Sequence, residues 1–210
     1  MAIGELNKAL AEMPRRMERL KKSGLKKLSR TDVDARFQRQ RGGFVLGYTG
    51  EIAVSDDHLI VAQQVTRNVN DNASLQPMLD EVERRCGAPP GAALADSGFF
   101  SIDNLEMMEQ RNIDGYVPDS NLACELNLGR RCPKKARAAS HRRMRAKLRS
   151  PAGQAAYARR KAVVEPVFGV LKQQRGMRQF RTRGLQNVNN EFTLATLAYN
   201  ITRLHRTLAA

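Results

Sequence analysis

The chain has 210 residues, enough for one domain with a real core and an added arm. Hydrophobic residues make up 41%, which excludes a disordered chain, and aromatics at 5% with no Trp argue against a stacking platform for single-stranded bases. The net charge of +15 points to a polyanionic partner, nucleic acid being the usual one, and no apolar run approaches the roughly 20 residues needed to span a bilayer. The first residues form no apolar signal segment, so a cytoplasmic protein is expected. Cys86, Cys124 and Cys132 are odd in number and form no CxxC, which indicates neither a disulfide framework nor a zinc finger. His58, His141 and His205 are scattered and read as structural or surface residues.

Residues 1–30 read as a basic amphipathic helix, with nine Lys or Arg against three Glu. Leu6, Leu10, Met13, Met17 and Leu20 recur at helical spacing, and Pro14 weakens the helix locally. It is either a solvated helix packed on one edge or a DNA-contacting arm. Residues 31–43 read as a polar connector, so 1–43 forms an arm ahead of a domain over 44–205. Two Val/Ile-rich runs, F-V-L-G-Y-T-G-E-I-A-V and H-L-I-V-A-Q-Q-V-T, flank S-D-D and predict a hairpin. N-D-N-A-S supplies capping residues for a helix over about 74–86, closed by Gly87.

A short strand over about 92–95 ends at Asp96, and Ser101 can cap a helix over about 102–111. I-D-G-Y-V-P reads as another strand. Within a basic insertion at about 119–150, residues 130–149 hold ten Lys or Arg and no acid. Such a block is a solvated segment or, in a protein this basic, a phosphate-contacting one. Arg130, Arg131, Lys134, Lys135, Arg142, Arg143 and Arg145 are its DNA-contacting candidates. Ser150 and Pro151 then start a helix to about Gln174, bent at Pro166, and the C-terminal apolar helix reads as core. The order of elements is that of a mixed α/β protein.

Two acids stand out. Asp96 ends an apolar strand, where a bare carboxylate is costly unless it caps a turn or ligates a metal. Glu165 lies in an apolar stretch of the late helix, on one face with Tyr157, Lys161, Phe168 and Lys172. It is either an i,i−4 partner of Lys161 or a second ligand. A strand-end Asp and a helical Glu can converge on hard divalent ions, which take oxygen ligands and keep several waters. Two such ions about 4 Å apart can activate an attacking oxygen and stabilise the leaving one.

Five phrases carry a resemblance: T-D-V-D-A-R-F, G-G-F-V-L-G-Y, A-D-S-G-F-F-S-I-D-N-L, R-K-A-V-V-E-P-V-F-G-V-L-K and R-G-L-Q-N-V. In this order, over roughly residues 31–205, they resemble the C-terminal part of a DDE transposase from a bacterial insertion sequence. The resemblance implies an RNase H-like mixed sheet flanked by helices, with Asp96 as second acid and Glu165 as third. It implies Mg²⁺ or Mn²⁺ in a two-ion site and DNA as partner. It implies hydrolysis at the element end, then attack of the freed 3′-OH on target DNA.

The family signature of Tyr, two residues, Arg, three residues, Glu, six residues, Lys is met at Glu165 and Lys172. Lys161 stands for its Arg, Tyr157 is one residue early, and Arg160 is the alternative match. These basic residues are expected on phosphates near the cut. The first catalytic strand and its Asp are not found; Asp32 and Asp34 lie in the connector. The chain therefore resembles a transposase lacking its first strand, impaired alone and pairing with itself or with full-length transposase. The competing reading is a non-catalytic DNA-binding protein or transposition inhibitor.

Overall fold

The computed structural model describes residues 3–40, 43–68, 70–129 and 135–209. Helix α1 (Ile3–Ser23) passes through Pro14 and leaves Leu10, Met13 and Met17 exposed. The expected connector contains a strand, β1 (Arg36–Gln40), paired antiparallel with β2 (Gly43–Gly47). The sequence concealed it because this ladder has no core side. Phe37, Phe44, Val45 and Leu46 are exposed, so no apolar–polar alternation marks β1.

The predicted hairpin is β3 (Thr49–Val54) against β4 (Ile60–Thr66). Its turn is closed by Ser55 N donating to Leu59 O at 2.9 Å, with His58 in the left-handed region at φ 62°. N-D-N-A-S forms a 3₁₀ turn, and α2 (Leu75–Cys86) follows, stopped at Gly87 with φ 77°. Strand β5 (Ala92–Leu94) leads through a second 3₁₀ turn, Ser97–Phe99, to α3 (Ile102–Gln110), whose Ser101 Oγ accepts from Asn104 N at 3.0 Å. Strand β6 (Asp114–Tyr116) runs parallel to β5. Four helices complete the chain: α4 (Ser120–Leu128), α5 (Ala139–Arg149), α6 (Pro151–Gly169) and α7 (Leu185–Leu208). A π turn, Val170–Gln174, ends α6 four residues after Pro166.

Strand β4 is the structural centre, covered by α2 on one side and α7 on the other. Leu75, Met78, Leu79 and Val82 form the buried stripe of α2, and Val188, Phe192, Thr196 and Tyr199 that of α7. Only half of α7 is core: Leu194, Leu197, Ile201, Leu204 and Leu208 are exposed on its other face. The corner between α5 and α6 depends on Gly153, since a Cβ there would lie 1.9 Å from the Lys147 carbonyl oxygen.

The strands form three two-stranded ladders rather than one mixed sheet. Among the described residues β3 pairs only with β4, and β5 only with β6. Each therefore keeps one unpaired edge.

Candidate active site

Asp96 lies just beyond β5, where its Oδ1 accepts from Gly98 N at 2.9 Å. It is thus a turn cap, and its second oxygen remains available. The turn is crowded with acid. A Cβ on Gly98 would sit 2.8 Å from Asp71 Oδ2 and 3.0 Å from Asp96 Oδ1, so only glycine lets both carboxylates flank this backbone. Burial, then the charge of Asp96, raises the Asp71 carboxyl above its ordinary value.

Glu51, on β3, joins the same field. Burial pushes its carboxyl up, the hydrogen bond from Gln64 opposes this, and the charges of Asp71 and Asp96 push it further up. Gln64 Nε2 donates to Glu51 Oε2 at 2.6 Å, while Oε1 is buried with no hydrogen-bond partner. Sequence reasoning read Asp71 as a cap and Glu51 as a strand residue. The usable signal was the presence of two acids flanking short, non-helical segments, and it is a weak one.

Helix α6 brings Tyr157 to this acid face. Burial raises the Tyr157 phenol, Arg160 opposes, and the charge of Asp96 adds to the rise. The Arg160 guanidinium carbon lies 5.5 Å from the Tyr157 ring centre. Glu165 is eight residues further along, about 12 Å at the α-helical rise. It is exposed, and the Lys161–Glu165 pair does not form: Lys161 Nζ reaches Asn127 Oδ1 at 3.5 Å instead. Lys172 Nζ lies 4.9 Å from the Phe168 ring centre. Tyr157 and Arg160 therefore lie within the electrostatic reach of Asp96, whereas Glu165 belongs to no cluster of three His, Cys, Asp or Glu side chains among the described residues.

Hard divalent ions need a set of convergent oxygens. Among the described residues no three His, Cys, Asp or Glu side chains come together as such a set. Asp71 and Asp96 supply two carboxylates, but the complete set that a two-ion site requires is not assembled by these residues.

Asp32 and Asp34 are engaged elsewhere in the fold. Asp32 accepts from Tyr48 Oη at 2.8 Å and from Gly184 N at 3.1 Å, and Asp34 accepts from Leu185 N at 3.2 Å. Both carboxylates thus sit at the start of α7, where the helix dipole favours negative charge. Burial alone would raise the Asp32 carboxyl, but the bonds from Tyr48, Gly184, Asp34 and Ala35 outweigh it and hold it below its ordinary value.

Much of the basic block is spoken for internally. Arg145 is 7% exposed and donates to Asp119 at 2.7 and 2.9 Å, with His141 Nε2 at 2.9 Å from the same carboxylate. Arg143 pairs with Glu109, Arg149 with Glu125 and Lys147 with Asp114. Arg145 is therefore a core residue and is not displayed for a phosphate, because a buried carboxylate needs its guanidinium. Lys135 and Arg142 are exposed, with no carboxylate partner among the described residues. Arg130, Arg131 and Lys134 lie outside the described residues.

No helix among the described residues is long and apolar enough to cross a membrane. No curated protein and no solved structure matches the chain. The family model described as the transposase DDE domain matches residues 19–201, a span that holds every strand, Asp96 at the end of β5 and Glu165 on α6. The chain belongs to the DDE transposase family.

Proposed function

We propose that this chain is the catalytic part of a DNA transposase with an RNase H-like core. Asp96 and Glu165 act as its second and third acids, and Mg²⁺ or Mn²⁺ is the cofactor. The match over residues 19–201, with Asp96 ending a strand and Glu165 on a late helix, carries the reading. Arg160, Lys161, Lys172, Lys135 and Arg142 would hold the DNA backbone, in the cytoplasm, and Tyr157 would pack beside them. The unpaired edges of β3 and β5 support a missing strand between them, one that would bring the first acid beside Asp96.

The chain is weakly active or inactive without that acid. In metal-dependent plasmid nicking at high protein concentration, Asp96→Ala and Glu165→Ala should each abolish whatever activity the wild type shows. Nicking that survives both substitutions would defeat the assignment. The incomplete ligand set favours a second reading, a DNA-binding protein that regulates transposition without cutting. It predicts salt-sensitive DNA binding with no nicking in either metal.

The partner proposed for α7 is a second copy of this chain. Its exposed residues Leu194, Leu197, Ile201, Leu204 and Leu208 are spaced three, four, three and four, the repeat of a coiled-coil seam. Thr193, Ala198, Asn200, His205 and Thr207 flank the seam with no Lys, Arg, Asp or Glu among them, which favours the approach of two copies of this basic chain there. Sedimentation velocity should show a dimer that Ile201→Glu converts to monomer. A wild-type monomer at tens of micromolar would contradict it.

A further inference from the structure

A cavity of about 560 Å³ lies among the β3–β4 turn, the π turn after α6 and the last turns of α7. His58, Arg175, Tyr199, Thr202, Arg203 and Arg206 line it, and no carboxylate does so among the described residues. None of the acids around Gly98 belongs to it.

The cavity is built around Arg175. The π turn ends there, with Arg175 N donating to Val170 O five residues back at 3.1 Å. Such turns recur at functional sites because they displace a side chain from the helical register. Arg175 Nη2 is anchored on α7 by Ala198 O at 2.8 Å and Thr202 Oγ1 at 2.7 Å. Its Nε is buried with no hydrogen-bond partner, an unmet cationic donor.

The other cations are held less completely. Arg203 uses only Nε, donating to Asp57 O at 3.2 Å, and Arg206 is exposed with no carboxylate partner among the described residues. His58 hydrogen-bonds to Val163 O through Nδ1 at 3.1 Å, which fixes its ring and leaves Nε2 unused. The acids nearest in sequence to the turn are Asp56, paired with Arg159 at 3.1 Å, and Asp57, which is exposed. Three guanidiniums around one concavity without a lining carboxylate match a phosphate group, whose oxygens accept forked donors.

We propose that this pocket binds a phosphate group, and that its occupant is a backbone phosphate of DNA reaching past the acid face. The DNA part rests on the transposase reading above; the phosphate part does not. Two measurements separate them. The first is DNA affinity across a series of salt concentrations for the wild type, Arg203→Ala/Arg206→Ala and, outside the pocket, Arg178→Ala. One lost phosphate contact lowers the slope of log affinity against log salt by about 0.9. The double variant should lose about that much and Arg178→Ala nothing. An unchanged slope in the double variant, or an equal fall in Arg178→Ala, overturns the DNA occupant.

The second measurement is broadening of the ³¹P signal of inorganic phosphate by the protein without DNA. It should be present in the wild type and lost in the double variant, with circular dichroism unchanged. Equal broadening in both overturns the pocket itself. Loss of broadening together with an unchanged DNA slope would mean that free phosphate, not DNA, is the occupant. Wild-type DNA binding indifferent to salt would defeat the DNA reading and leave the ³¹P result to decide the pocket.

Discussion

Glu51 is the buried member of the acid face. One of its oxygens has no hydrogen-bond partner, and Asp71 and Asp96 repel its charge. Its carboxyl is therefore raised in the folded state, so the folded protein holds that proton more tightly than the unfolded chain does. Stability from this group is full below the ordinary carboxyl value and is lost as pH rises through the folded value. Glu51→Gln removes the charge and keeps an acceptor for Gln64. Its urea midpoint should exceed the wild type's at pH 7, and the gain should shrink at pH 4. An equal gain at both pH values, or none at either, would contradict the account. At this scale Asp96 was legible because an apolar run stops at a bare carboxylate. Asp71 was not, because its approach to Asp96 runs through Gly98, and no local pattern encodes a contact across 25 residues.

At the scale of elements, α5 shows how a basic run becomes structure. Arg143 and Lys147 on one side of it, and Arg145 and Arg149 on another, are each matched to an acid earlier in the chain. Asp119 is the centre of this docking. Burial would raise its carboxyl, but bonds from Arg145, His141 and Leu122 N outweigh burial and hold it far below the ordinary range. That contribution is present above the ordinary carboxyl value and is lost as pH falls through the folded one. Asp119→Ala takes these acceptors from a buried guanidinium and should cost about 3 kcal/mol or more in urea unfolding. Arg143→Ala breaks an exposed pair and should leave the midpoint unchanged. Similar losses from both would mean that α5 is held by something other than the Asp119 network. Composition could not show this, since a run of ten cations in twenty residues looks alike whether its partners are acids or phosphates. The caps were more legible: Ser101, Ser150 with Pro151, and Gly87 act locally, and each does what its residue type predicts. Strand β1 was illegible because an exposed ladder leaves no periodicity.

At the scale of the whole molecule, the charge of +15 and the family membership describe a DNA-acting core, and among the described residues β3 and β5 each keep an unpaired edge. Among the described residues the three ladders remain separate, and on the function proposed above a further strand between β3 and β5 would join two of them into one sheet. The order of the five motifs was readable along the chain, and it led to the family. Where Glu165 stands relative to Asp96 was not, since it depends on how α6 lies against the ends of the strands, and among the described residues the two do not join a third acid in one cluster. On the function proposed above, Asp96 and Glu165 share a metal site when DNA is bound. Fe²⁺ placed in the DNA complex in place of Mg²⁺, with ascorbate and peroxide, cleaves the backbone beside its own ligands. Fragment masses should reveal cuts near both Asp96 and Glu165, suppressed by excess Mg²⁺. Cuts near Asp71 and Asp96 with none near Glu165 would contradict the claim and place the metal among the acids around Gly98 instead.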